Sequence, residues 1–301
     1  MSRPRELRPW PAWVLGADHS RICASNIVRR ILWRIFSSTS LDETFILRWS
    51  ERINILAYPN VATCHSLFVT GYYEPNEFCF LKQNLRAGMV FIDVGAHIGL
   101  YSLFASDLVD TNGIVIAIEP SDRDFQRLRA NVELNESKNI RLRRVAISNR
   151  SFEGELLIAD EKNSGLSTFG AFAYTGVGNQ GKQRVITDTL DDLVQTELLD
   201  CVDAIKIDVE GHELFVLQGA KKTLRKYSPI LLVEISDRAL VHQGINGSQV
   251  LELLLTLGYS IYLFSKETGL PVPLTKKIAY FDSENILAIH DSSQVNFNGS
   301  V

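Results

Sequence analysis

The chain has 301 residues, 46% of them hydrophobic and 22% charged, an ordinary soluble composition with material for one large α/β domain plus additions or for two smaller ones. A formal net charge of -4 offers no basic field for a nucleic-acid backbone. Cys23, Cys64, Cys79 and Cys201 stand far apart, without a CxxC pair or histidines at zinc-ligand spacing, which argues against a disulfide framework or structural zinc and for a reducing compartment, the cytoplasm.

Residues 1 to 50 differ from the rest. Before residue 40, Arg3, Arg5, Arg8, Arg21, Arg29, Arg30 and Arg34 face only Glu6 and Asp18. Ile27, Ile31, Leu32 and Ile35 recur at helical spacing with the arginines offset, which predicts a short basic amphipathic helix. Its apolar face is expected to pack on the main domain or a second subunit, with a membrane surface as the lesser alternative. No run of about 18 or more uncharged apolar residues and no signal-type h-region appear, so the chain reads as neither spanning a membrane nor secreted. Residues 52 to 73, with Tyr58-Pro59-Asn60 and Gly71, predict strands or a hairpin joined by turns, and Phe78 to Leu85 predict a helix before the Gly88 turn.

From residue 88 the pattern is regular. Apolar runs at 90 to 94, 114 to 118, 140 to 147, 203 to 209, 229 to 235, 259 to 264 and 284 to 290 alternate with helical segments, which predicts a doubly wound α/β sheet, mostly parallel. Helices are expected over Ser121 to Glu136, Glu213 to Tyr227 and Ser248 to Leu257, the last closed by Gly258. Between Ile147 and Ala204 more than fifty residues break the alternation, and a β-hairpin with a mobile loop is expected there.

Three stretches carry chemistry. In VFIDVGAHIGLYS, Val90 to Ser102, a strand ends at Asp93 and Gly95 and Gly99 bracket a turn into a helix. Such a junction leaves backbone N–H groups unpaired and lets main chain approach a small polar ligand. A dinucleotide fingerprint requires glycine two and five residues after Gly95, where this chain has His97 and Leu100, so a nicotinamide oxidoreductase is disfavoured. The spacing of Asp93, Gly95 and Gly99 suits the methionine end of S-adenosylmethionine, with Asp93 a partner for its ammonium directly or through water. Glu119, at the end of the next strand, is placed to accept both ribose hydroxyls, and adenine is expected between Pro120 and the Val145, Ala146, Ile147 segment. In AIKIDVEGHE, Ala204 to Glu213, Asp208 ends a strand, and Glu210, His212 and Glu213 crowd the following turn. Asp208 is a candidate to orient the acceptor or take its proton, and His212, Glu210 and His97 are base candidates, although capping or packing also accounts for several of them. Asp208 with Glu234 as metal ligands is a minor alternative, and no metal is expected.

Taken together, YYEPNE, the Val90 stretch, AIEP with RLRANVELN, VAISN, STF, TLDDL, IKIDVEGHE with VLQGA, and ILLVEI resemble the FkbM family of S-adenosylmethionine-dependent methyltransferases over roughly residues 72 to 235. The resemblance implies a class I, Rossmann-like methyltransferase sheet of seven strands with the last antiparallel. It also implies methyl transfer to a hydroxyl of a sugar or secondary metabolite, and cofactor contacts by Asp93, Gly95, Ala96, Gly99 and Glu119. His97 stands where the family often has asparagine, so this histidine is expected near the methionine carboxylate or the acceptor. Ser167, Thr168 and Tyr73 are expected beside the acceptor. The expected organisation is an extension over 1–70, the methyltransferase domain over 71–290 and a flexible tail over 291–301, with a small molecule or glycan as partner rather than nucleic acid. A non-catalytic ligand-binding protein on the same fold remains the other reading.

Overall fold

The computed structural model describes residues 5–7, 23–39, 44–275, 278, 280–293, 295 and 297. Strand β1 (Arg5–Leu7) precedes helix α1 (Cys23–Thr39) and pairs in parallel with β2 (Phe45–Arg48), which runs antiparallel to β3 (Asn54–Ala57). Of the predicted apolar stripe of α1, Ile27, Ile31 and Leu32, with the neighbouring Val28, are between 40% and 61% exposed and so do not dock on the main domain. Among the described side chains of α1 Trp33 is the buried one, its ring against His65 and Phe68, and Arg29 donates to the Phe68 carbonyl at 2.6 Å. The bulk of one indole, more than the isoleucine periodicity, selects the docking face. Arg3, Arg8 and Arg21 lie outside the described residues.

Residues 62 to 70, expected as strand or turn, form α2 (Ala62–Thr70). Cys64, Leu67 and Phe68 share one helical face and are buried, so tertiary packing overrides the strand preference of the β-branched residues around them. Helix α3 (Pro75–Asn84) follows, and Phe45, Trp49, Leu67 and Phe78 share one core with Phe91 and Leu103 of the following βα unit.

The remaining strands are β4 (Val90–Val94), β5 (Ile114–Ile118), β6 (Ile140–Arg143), β7 (Ala146–Ile147), β8 (Glu153–Ala159), β9 (Asn179–Asp188), β10 (Ala204–Ile207), β11 (Ile230–Ile235), β12 (Tyr259–Phe264), β13 (Pro271–Pro273) and β14 (Glu284–His290). The helices are α4 (Leu100–Val109), α5 (Asp122–Leu134), α6 (Leu190–Thr196), α7 (Glu213–Gln218), α8 (Lys221–Tyr227), α9 (Asp237–Leu240) and α10 (Gly247–Thr256). The main sheet has the order β13-β12-β14-β11-β10-β4-β5-β6, with β4, β5, β6, β10 and β11 parallel and β14 antiparallel to both its neighbours. This is the class I methyltransferase arrangement with one strand more than expected, because β13 extends the β12 edge. A second core, around Ile92, Ile207, Val233 and Leu254, fills the other face.

Two elements depart from their predicted extents. The run 140 to 147 divides: β6 ends the main sheet, and β7 pairs with β9 in a separate sheet of order β7-β9-β8. As an edge strand, β6 has no outer neighbour to hold residues 144 to 147 in register. The helix predicted over Glu213 to Tyr227 breaks into α7 and α8 at Gly219, where a Cβ would lie 2.0 Å from the Ser148 carbonyl oxygen. The β8–β9 hairpin is the one expected in the long insertion. Of the tail, 291–293, 295 and 297 are described, and the Phe297 ring lies 4.8 Å from Tyr262. No helix among the described residues is long and apolar enough to cross a membrane.

Candidate active site

The carboxyl ends of β4, β5, β10 and β11 face a cavity of about 340 Å³, within the range of small-molecule sites, where a switch in strand order opens a crevice. One wall is lined by Gly95, His97, Ile118, Glu119, Pro120 and the Val145, Ala146, Ile147 segment, so the predicted cofactor residues 95, 97, 119, 120 and 146 converge. Glu119 is buried and accepts from His97 N and Ser121 N, one bond at each carboxylate oxygen, both 2.9 Å. Burial first and Asp124 second push its carboxyl up to about 8. Each oxygen keeps a lone pair for a further donor.

The glycine turn works differently from its expected role. Its N–H groups are already paired: Gly95 N and Ala96 N both donate to the Ile118 carbonyl at 3.0 and 2.9 Å, and Gly99 N donates to Ala96 O. Gly95, at φ +84, is demanded by a close approach of main chain to main chain, since a Cβ there would lie 1.8 Å from the Asp208 carbonyl oxygen. Gly99, at φ +91, faces Leu128 and lies outside the cavity lining, as does the buried Ala96. Asp93 is wholly buried, accepts from Ser102 Oγ at 2.5 Å and does not line the cavity, so the expected direct contact with an ammonium gives way to a place beneath the turn. Its cross-strand neighbour is Lys206, and its Oδ1 has no hydrogen-bond partner.

His97 holds a left-handed backbone at φ +50, a costly state for a residue with a Cβ, while its ring bonds Ser164 Oγ at 2.7 Å. Arg123 and Arg127 both pair with Asp124, which lies 3.9 Å from the ring, and Arg123 also donates to Ala159 O at 2.8 Å, tying the insertion to α5. Burial lowers the affinity of the His97 ring for a proton.

The opposite wall is acidic and aromatic. Asp208, Glu210 and Glu234 bring oxygens within 4.8 Å of one another, beside Tyr73, Phe169 and Tyr174. Burial would raise the Asp208 carboxyl, but Lys206, bonded to it at 2.8 Å, holds it below its ordinary range. Glu210 is raised well above that range by burial and then by Asp208, and Glu234 by Asp208 and then by burial. Glu210 sits at φ +50, followed by Gly211 at +95, a strained bend that turns its side chain back toward the cavity. Ser167 lines the cavity, whereas Thr168 is buried and donates to the Glu210 carbonyl at 2.7 Å.

His212 takes the packing role that the sequence reading set beside its candidacy as a base. Its Nε2 is 2.9 Å from Ser148 Oγ and its Nδ1 is 2.8 Å from Gln243 Oε1, so both ring nitrogens are engaged, and the ring packs between Phe169 and Phe215. Gln243 in turn donates to Gly211 O at 2.8 Å. The imidazole joins three segments and, with burial lowering its proton affinity, is a neutral strut rather than a free base. Lys206, by contrast, was missed. A lone lysine inside the apolar strand AIKI is the signal for it, because a buried ammonium needs carboxylates beside it; Asp208, Asp93 and Glu74 supply them, and Tyr101 lies under it at 4.7 Å.

Residues 93–261 match the family model described as the Methyltransferase FkbM domain. Hexuronic acid methyltransferase AglP of Haloferax volcanii is 30% identical over 184 residues, which cover 60% of this chain and 67% of that relative. Among solved structures, methyltransferase FkbM from Methylobacillus flagellatus is similar with a TM-score of 0.43 at 16% identity, over 87% of this chain and 60% of that one. Precorrin-6y C5,15-methyltransferase from Geobacter metallireducens gives 0.41 at 18% identity, over 72% of this chain and 88% of that one.

Proposed function

The chain belongs to the FkbM methyltransferase family and uses S-adenosylmethionine, and on that premise we propose that it methylates a hydroxyl group of a sugar, a glycan or a secondary metabolite. The observation that carries this reading is a single cavity with Glu119 on one side and Asp208, Glu210 and Glu234 on the other. The residues present fit the cofactor. Glu119 has lone pairs for ribose hydroxyls, the apolar Ile118 and Val145 with the small Ala146 suit an adenine face, and Gly95 lines the same cavity while its missing Cβ lets the Asp208 main chain close up against the turn.

When bound, the sulfonium supplies a methyl group already activated toward a nucleophile. The protein's part is then to align the acceptor oxygen, exclude water and accept one proton. Asp208, kept ionised by Lys206, orients the hydroxyl and takes its proton. Glu210 and Glu234, whose carboxyls are raised well above their ordinary range by burial and by Asp208, face the same space as hydrogen-bonding partners for neighbouring acceptor oxygens. Tyr73, Phe169 and Tyr174 offer ring faces to the C–H surface of a sugar, and the activity printed for the Haloferax volcanii relative supports a sugar acceptor. His212 positions the loop that carries Glu210. The free thiols of Cys64, Cys79 and Cys201 support a cytoplasmic setting.

The test is mass spectrometry of metabolites and glycans from cells with and without the protein, where the proposal expects an acceptor gaining about 14 Da, a CH3 in place of the hydroxyl hydrogen. Transfer of label from methyl-labelled cofactor to nitrogen or carbon instead of oxygen overturns the hydroxyl assignment. Cofactor binding without any labelled product from an acceptor panel and cell extract favours the non-catalytic reading.

A further inference from the structure

The N-terminal helix carries charge and exposure that the methyl-transfer site does not use. Ile27, Val28, Ile31 and Leu32 form an aliphatic stripe exposed at 61%, 58%, 53% and 40%, on the side of α1 away from the buried Trp33. Arg30 and Arg34, both exposed, lie one turn apart along the edge of that stripe. The sequence of α1, CASNIVRRILWRIFSST, contains three arginines and no acidic residue, in a chain whose net charge is -4. Positive charge is thus concentrated where the apolar surface is exposed.

We propose that α1 seats the enzyme on an anionic lipid bilayer, with the aliphatic stripe at the headgroup and acyl boundary and Arg30 and Arg34 on the headgroups. A helix with an aliphatic face and a basic flank has the composition of an interfacial anchor, and it lies on the bilayer without spanning it. Charge selects this occupant over a second copy of the chain, since another α1 brings the same arginines and no acid to meet them. Proximity to the cavity is the independent observation. Trp33 packs on His65 and Phe68 of α2, and Val61, Ala62 and Thr63 at the start of α2 line the cavity. Ala62 N donates to the carbonyl of Lys162, an exposed cation on the same lip. The seated helix places this lip of the cavity beside the headgroup layer.

The experiment is co-sedimentation of the full chain with vesicles of phosphatidylcholine containing phosphatidylglycerol, and with vesicles of phosphatidylcholine alone. The proposal expects binding to the anionic vesicles that weakens in high salt, and a loss of about tenfold or more in the double variant I31E/L32E. The variant R30Q/R34Q loses roughly fivefold for each charge removed. Cofactor titration by calorimetry on the same samples stays unchanged, which separates a lost anchor from a lost fold and from failure of the methyltransferase reading. Wild type that binds anionic vesicles no better than I31E/L32E overturns the proposal. A wild-type dimer that I31E/L32E converts to monomer, with no vesicle binding, overturns it in favour of a second copy.

Discussion

The two walls of the cavity are built from different amounts of chain. On the side proposed for the nucleoside, Gly95 and Glu119 follow adjacent strands of the main sheet and Ala146 lies in β7 just beyond β6, all within about fifty residues. On the other side, Tyr73 arrives from before the sheet, Phe169 and Tyr174 from the insertion, and Asp208, Glu210 and Glu234 from strands and loops farther on. A wall made by adjacent strand ends is fixed once the sheet forms, because backbone hydrogen bonds set the position of each terminal residue. A wall assembled from inserted segments depends on side-chain contacts such as His212 with Ser148 and Gln243, and is freer to change its ligand.

This division predicts separable defects. The largest is expected for Asp208→Asn, which removes the charge paired with Lys206: kcat for methyl transfer falls about 10²–10⁴-fold while the cofactor dissociation constant stays within about threefold. Labelled-methyl kinetics and calorimetry on one preparation check it, and a matching loss of cofactor affinity breaks the division. The converse is Glu119→Ala, expected to raise the cofactor dissociation constant about 10–100-fold, since the buried carboxyl proposed to meet the ribose hydroxyls is lost together with its bonds to His97 N and Ser121 N. Smaller again, Tyr174→Ala raises the acceptor KM about fivefold with cofactor affinity unchanged.

The smallest effect is on stability. Glu213, behind the acidic wall, accepts from Val209 N and Gly211 N through one oxygen while its Oε2 has no partner, and burial first raises its carboxyl to about 7. Between its ordinary range and pH 7 the folded chain holds a proton that the unfolded chain has released, so this group makes stability fall as pH rises across that window. Glu213→Gln removes the fall, and a gain of about 2–4 °C in Tm at pH 8, with no gain at pH 4, is expected by calorimetric melting.

The convergence of Gly95, Glu119 and Ala146 on one wall was legible in the sequence because an apolar run, an acid and a glycine turn are local signals that survive in any context. The same locality has a limit at Asp93. Its position at a strand end was readable, but which face its carboxylate takes is decided by Ser102 and Lys206, nine residues on and across the sheet. His212 shows the limit more sharply: histidine in a crowded acidic turn suited either proton transfer or packing, and only Ser148 and Gln243, drawn from distant segments, show it as a strut. Helix α2 was misread because TCHSLFVT has strand-like composition, and only its burial against α1 and the main core reveals the helical period. Tyr174 had no local signature at all.

At Gly95 the glycine turn and the Asp208 loop touch backbone to backbone, with no side chain between them to act as a spacer. The floor of the cavity is therefore one mechanical piece, and it cannot yawn to release product. Any opening has to come from the roof, where the insertion meets His97 through Ser164, so the hinge of this enzyme is to be sought there.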